Sequence, residues 1–139
     1  MAGYSGTPLP RKLGLRDGHR VVLLGAVGAG AYRALLGPGA PAIAIASTLA
    51  AQADVVHIFT ASREALAGWL PPAITAIAPD GMIWVSWPKK ASKLPSDVTE
   101  DTIRDLCLPL GLVDVKVCAV DAVWSGLKLV IRKELRGAR

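Results

Sequence analysis

The chain has 139 residues, 52% of them hydrophobic and 19% charged, with a formal net charge of +5 and two cysteines. That length suits one globular domain with a full core, and nothing in it calls for disulfide staples. Aromatic residues make up only 5%, and the apolar excess is aliphatic, as expected of strands covered on both faces.

The basic excess sits near the ends, in Arg11, Lys12, Arg16 and Arg20 and in Arg132, Lys133, Arg136 and Arg139. Such residues read as solvated tails. Without an Arg/Lys stripe or exposed aromatics to stack bases, nucleic acid is not an expected partner. Cys107 and Cys118 form no CxxC and have no His partner at ligand spacing. They read as small core residues, with no metal site expected. The first twenty residues are polar and carry Pro8 and Pro10, so they form no apolar signal core. The charge-free stretch 34–53 is broken by Gly37, Pro38, Gly39 and Pro41 and is too short to span a bilayer. A soluble cytoplasmic protein is expected.

In chain order, residues 1–19 read as an arm or loop. Residues 20–24 (RVVLL) form an apolar strand ending at Gly25, and 26–36 a loop entering a short helix stopped by Gly37-Pro38. Residues 42–46 make a short strand, 48–52 a helical turn and 54–59 (DVVHIF) a buried strand. Ser62 caps the next helix, with Glu64 in its first turn. Pro71 and Pro72 are expected to break or kink it, leaving a second piece ending near Ala78. Pro79-Asp80-Gly81 reads as a turn before a strand over 82–87. Thr99, or Asp97 with Glu100 as a capping box, opens a helix whose apolar face is Ile103, Leu106, Cys107 and Leu110, closed by Gly111. Residues 113–120 and 127–132 are strands, and 121–126 the hairpin between them.

Strands alternating with helices predict one α/β domain over 1–139. Its mostly parallel, Rossmann-like sheet has about six strands, helices on both faces and an antiparallel C-terminal hairpin.

Gly25, Gly28 and Gly30 lie between the first strand and a helix, where a dinucleotide or S-adenosylmethionine loop would sit. The carboxylate that would hold ribose hydroxyls after the second strand is replaced by Ser47 and Thr48, so a purely structural glycine turn is the plainer reading. Lys89 and Lys90, with Lys93 beyond, end a central strand, at the edge where open α/β sheets bind ligands. They can hold phosphate or carboxylate as point charges, or be a solvated loop. Asp121, Trp124 and Ser125 belong to the hairpin connection at the same edge, with Trp124 alternatively a packing anchor. His57 reads as a satisfied interior histidine. Ser86 and Ser125 lack the GxSxG elbow of a hydrolase nucleophile, and Asp97, Glu100 and Asp101 are helix-start chemistry.

YSGTPLPRKLG (4–14), WPKKAS (87–92), DVTED (97–101) and GLVDVKVCAVDAVWSGLKLV (111–130) resemble a bacterial family of small proteins catalogued only as a domain of unknown function. This implies a stand-alone cytoplasmic α/β protein. The run from 54–59 through Ala78-Pro79-Asp80-Gly81 to the terminal hairpin is also similar to class I methyltransferases, in reduced form. That resemblance implies Gly25, Gly28 and Gly30 as its adenosylmethionine loop.

The leading sequence-based reading is a non-catalytic domain needing no cofactor. It binds a small anionic ligand or a protein partner through Lys89, Lys90, Asp121, Trp124 and Ser125. The alternatives are an S-adenosylmethionine-dependent methyltransferase and a homodimeric module using the apolar 40–53 stretch or an open sheet edge.

Overall fold

The aliphatic runs become strands because only pairing satisfies their backbone groups once the side chains leave water. In the computed structural model, which describes residues 7–49 and 52–137, six strands form one sheet. They are β1 (Arg20–Gly25), β2 (Ala44–Ala46), β3 (Ala53–Phe59), β4 (Ile77–Pro88), β5 (Leu112–Ala119) and β6 (Trp124–Ile131), in the order β2-β1-β3-β4-β6-β5. β2, β1, β3 and β4 run parallel, while β6 is antiparallel to both β4 and β5. The expected mixed sheet and closing hairpin are present.

Helices cover both faces. On one, α1 (Leu9–Leu13) and α2 (Ala29–Leu36) bring Leu13, Tyr32 and Leu36 onto Val21, Leu23, Val55, Phe59 and Trp84. On the other, Leu66, Leu70 and Ala73 of α3 (Arg63–Ala76) pack with Ile103 and Cys107 of α4 (Glu100–Cys107) onto Val56, Ile58, Ile83 and Leu127. A last turn, α5 (Lys133–Arg136), follows β6. Cys107 is buried and Cys118 half-buried, and both are free thiols whose pKa burial raises, Cys107 to about 11. No described helix is long and apolar enough to cross a membrane.

Several elements differ from expectation. Part of the N-terminal arm is helix α1, pinned because Trp84 Nε1 donates to the Leu13 carbonyl at 3.0 Å. Pro71 and Pro72 do not interrupt α3. The rings are exposed, so the carbonyls of Ala67 and Gly68 that lose their donors can turn to water. The buried stripe Leu66, Leu70, Ala73 and Ala76 continues across both prolines and keeps the segment helical. Thr99 caps α4, but the reciprocal partner is Thr102, while Asp97 instead accepts from Arg63 N–H at the start of α3. Pro79-Asp80-Gly81 is an irregularity within a longer β4, between the pairs Ala53–Ile77 and Val55–Met82. Gly81 suits this crowding, since a Cβ would lie 3.0 Å from the Ala78 and Asp54 carbonyl oxygens. Trp124 and Ser125 belong to β6 rather than to the turn. The segment 48–52 falls partly outside the described residues.

β5 is an edge strand. Val115 and Val117 are 53% and 48% exposed, and the register shift between Asp114 and Lys116 blunts the edge.

Candidate functional site at the carboxyl edge

Three segments meet where the parallel strands end. β1 closes at Gly25 with φ +99, and a Cβ there would lie 2.0 Å from the Phe59 carbonyl oxygen. Only glycine permits this approach, and Ala26 N–H then donates to the same oxygen at 2.9 Å. Gly25 is therefore a structural hinge of the loop. At Gly28 and Gly30 a Cβ would meet nothing within 4 Å. Gly28 is the N-cap of α2, no side chain caps that helix, and its first turn holds no acidic residue. Its free N–H groups and positive dipole end face the edge. Ser47 and Thr48 follow β2 directly and are exposed.

Lys89 and Lys90 follow β4, the first half-buried and the second exposed, with Lys90 entering a 3-10 turn over Lys90–Ser92. Lys89 N–H donates to the Val123 carbonyl at 2.7 Å, so the lysine loop and the β5–β6 turn are tied together. Asp121 shapes that turn: its Oδ1 accepts from the N–H groups of Val123 and Trp124, both at 2.8 Å. Trp124 packs edge-on to Phe59, ring centroids 5.3 Å apart, on the α1/α2 side. Ser125 pairs with Trp87 and Ala119. Since neighbours on a strand face opposite ways, Trp124 and Ser125 do not line one face.

Beneath this edge lies a group of which sequence reasoning met only His57 and Ser86, as separate residues, and missed Tyr32. Tyr32 Oη lies 3.0 Å from His57 Nδ1, and His57 Nε2 lies 2.7 Å from Ser86 Oγ. Tyr32, His57 and Ser86 are 1%, 0% and 0% exposed. The His57 ring stacks on Phe59 at 4.2 Å and meets Tyr32 edge-on. Burial drives His57 down to about 3 and pushes the Tyr32 phenol above its usual value. Both are neutral at pH 7. The expected satisfied interior histidine is what the structure contains, and its partners come from α2 and β4, distant in sequence.

Among the described residues no group of three or more His, Cys, Asp or Glu side chains is arranged to hold a metal.

No protein-family model matches the chain, and no curated protein matches it by sequence. Solved structures do match by shape. The magnesium protoporphyrin IX methyltransferase of Synechocystis PCC 6803 with bound S-adenosylmethionine aligns at TM-score 0.63 and 12% identity, covering 88% of this chain and 74% of that one. Aeropyrum pernix fibrillarin in complex with S-adenosylmethionine aligns at TM-score 0.57 and 17% identity, covering 92% and 70%. The ribosomal protein L11 methylase of Lactobacillus delbrueckii subsp. bulgaricus aligns at 0.55 and 13%, covering 88% and 75%. The fold is thus Rossmann-like and methyltransferase-like.

Proposed function

We propose that this chain binds an S-adenosyl ligand across its glycine loop and works as a small S-adenosylmethionine-dependent methyltransferase. The observation that carries the reading is the β1–loop–α2 unit. Gly25 is wedged against Phe59, while Gly28 and Gly30 leave open space beside an uncapped helix start. This replaces the sequence-based expectation of no cofactor.

The residues present fit such a ligand. The N–H groups opening α2 suit a carboxylate. The hydroxyls of Ser47 and Thr48 stand where an acidic residue would otherwise meet ribose, and offer neutral hydrogen bonds instead. When bound, S-adenosylmethionine supplies an electrophilic methyl group on a sulfonium. The chain's own part is positioning: the Tyr32–His57–Ser86 chain stiffens the floor, and Lys89 and Lys90 orient an anionic acceptor at the rim.

A second reading, binding of an anion or protein partner without turnover, draws support from Asp121. Its Oδ1 is already taken up by the turn, which leaves the lysines as the edge's recognising charges. Calorimetric titration separates the two. Adenosylhomocysteine should bind the wild type, and Gly28→Val, at an extended backbone position, should abolish binding without unfolding the protein. Absence of binding, with inorganic phosphate captured in a way that Lys89→Ala with Lys90→Ala removes, would favour the second reading.

A further inference from the structure

A cavity of about 790 Å³ opens at the opposite, amino edge of the sheet. It lies where α1 and the end of α2 meet the starts of β3 and β4 and the far half of β6. Its volume falls within the range of small-molecule sites. Nothing in the proposed methyltransferase chemistry uses it.

The electrostatics of its walls are unbalanced. Arg11, Arg16 and Lys128 contribute cations, and Asp54 and Asp80 carboxylates. Asp54 is partly spent, because its Oδ2 accepts from Arg20 N–H at 2.8 Å. His19 Nδ1 accepts from Arg16 N–H at 3.1 Å, which leaves Nε2–H as the ring's donor.

Lys128 is the informative residue. It is half-buried on β6 and stands directly opposite Lys116 of β5. Like charges facing each other across a strand pair are destabilising. Lys116 finds the Lys12 carbonyl at 2.9 Å. Among the described residues no carboxylate pairs with Lys128. Burial, and then Lys116, lower its pKa. A half-buried cation beside a cavity, without a counter-ion and facing a second cation, is the arrangement an anion would complete.

We propose that this amino-edge cavity is a second ligand site, for a small phosphate-bearing molecule whose phosphate is held by Lys128, with Arg11 and Arg16 at the rim. The two arginines provide planar forks suited to phosphate oxygens, and Lys128 a point charge at the inner wall. Asp80 opposes the ligand's charge and so limits affinity.

The test is titration of the full chain with pyrophosphate, followed by amide chemical shifts. Saturable shifts are expected at Arg16, Gly81, Met82 and Lys128. Lys128→Met keeps the alkyl stem and relieves the repulsion with Lys116. It should weaken binding about tenfold or more, the range of a charged hydrogen bond. Asp80→Asn should tighten it. Arg16→Gln, at an exposed position, provides a loss-of-binding variant that spares the core. Shifts confined to Gly28, Gly30, Lys89 and Lys90, or unchanged affinity in both Lys128→Met and Arg16→Gln, would overturn the proposal. The adenosyl site lies at the other edge, so either site can fail alone.

Discussion

His57 Nε2 lies 2.7 Å from Ser86 Oγ while Nδ1 lies 3.0 Å from Tyr32 Oη, so both ring nitrogens are satisfied with no exposure to water. The sheet places His57 beside Trp84 and Ser86 beside Phe59 and Gly126. Gly126 leaves the room, since a Cβ there would come within 3.4 Å of Ser86 Oγ and closer still to Trp84 and Val120.

This chain gives the protein an acid limit. Burial holds the His57 pKa at about 3, below the ordinary histidine value of 6.5. A depressed value means the unfolded state takes up the proton first, so stability is fully present above about 6.5. It is lost as pH falls toward about 3, by at most about 1.4 kcal/mol per pH unit. His57→Gln should be less stable than wild type at pH 7, but its disadvantage should shrink between pH 6 and 4. Urea unfolding at several pH values checks this, and parallel profiles for the two proteins would refute it.

Ser86→Ala strips His57 of its Nε2 partner inside the core. A loss of about 1–3 kcal/mol is expected, the cost of an unsatisfied buried polar group. Chemical denaturation at pH 7 measures it.

The glycines of the loop should separate by role. Gly25→Ala forces a Cβ into the Phe59 carbonyl at a positive φ, and should cost well over about 2 kcal/mol or prevent folding. Gly30→Ala, in α2 with open space around it, should raise stability by up to about 1 kcal/mol. A thermal melt of each variant decides. Equal effects would mean that the loop is not built as described.

Much of the fold was readable because its strands are aliphatic runs and its helix starts carry Ser62 and Thr99 at cap positions. What escaped depended on tertiary contact. Helix α1 exists because Leu13 is buried and its carbonyl meets Trp84. The stretch over Pro71 and Pro72 stays helical because its apolar stripe continues beneath exposed rings. The lysine loop and the 121–126 connection were brought together correctly in outline, but Asp121 proved to be turn chemistry. The Tyr32–His57–Ser86 chain carries no local signal, since its members come from three elements. The amino-edge cavity is assembled from α1, the end of α2, the starts of β3 and β4 and the far half of β6, which no spacing reveals.

Asp121→Asn keeps an oxygen able to accept from Val123 and Trp124, whereas Asp121→Ala does not. The alanine variant should lose about 1–2 kcal/mol and the asparagine variant much less. Comparing their denaturation midpoints tests whether Asp121 is the organiser of the hairpin turn.

Arg104 ties α4 to β5: Nε donates to Asp114 at 2.9 Å, and the other nitrogens reach Glu100 and Asp101. The hydrogen bond to Asp114 first, and then that to Glu100, hold the guanidinium well above its usual pKa. Arg104→Gln should lower the melting temperature modestly, and less so in 1 M salt than in dilute buffer, because exposed ion pairs are screened.

The central claim is the adenosyl site, and the melting temperature in adenosylhomocysteine tests it most directly. At a hundredfold excess over Kd the ligand adds about 2.7 kcal/mol, which for a domain of this size is a rise of several degrees. That rise should vanish in Gly28→Val while the ligand-free melting temperature of the variant stays near wild type. A wild-type melting temperature unmoved by millimolar adenosylhomocysteine and adenosylmethionine would contradict the account.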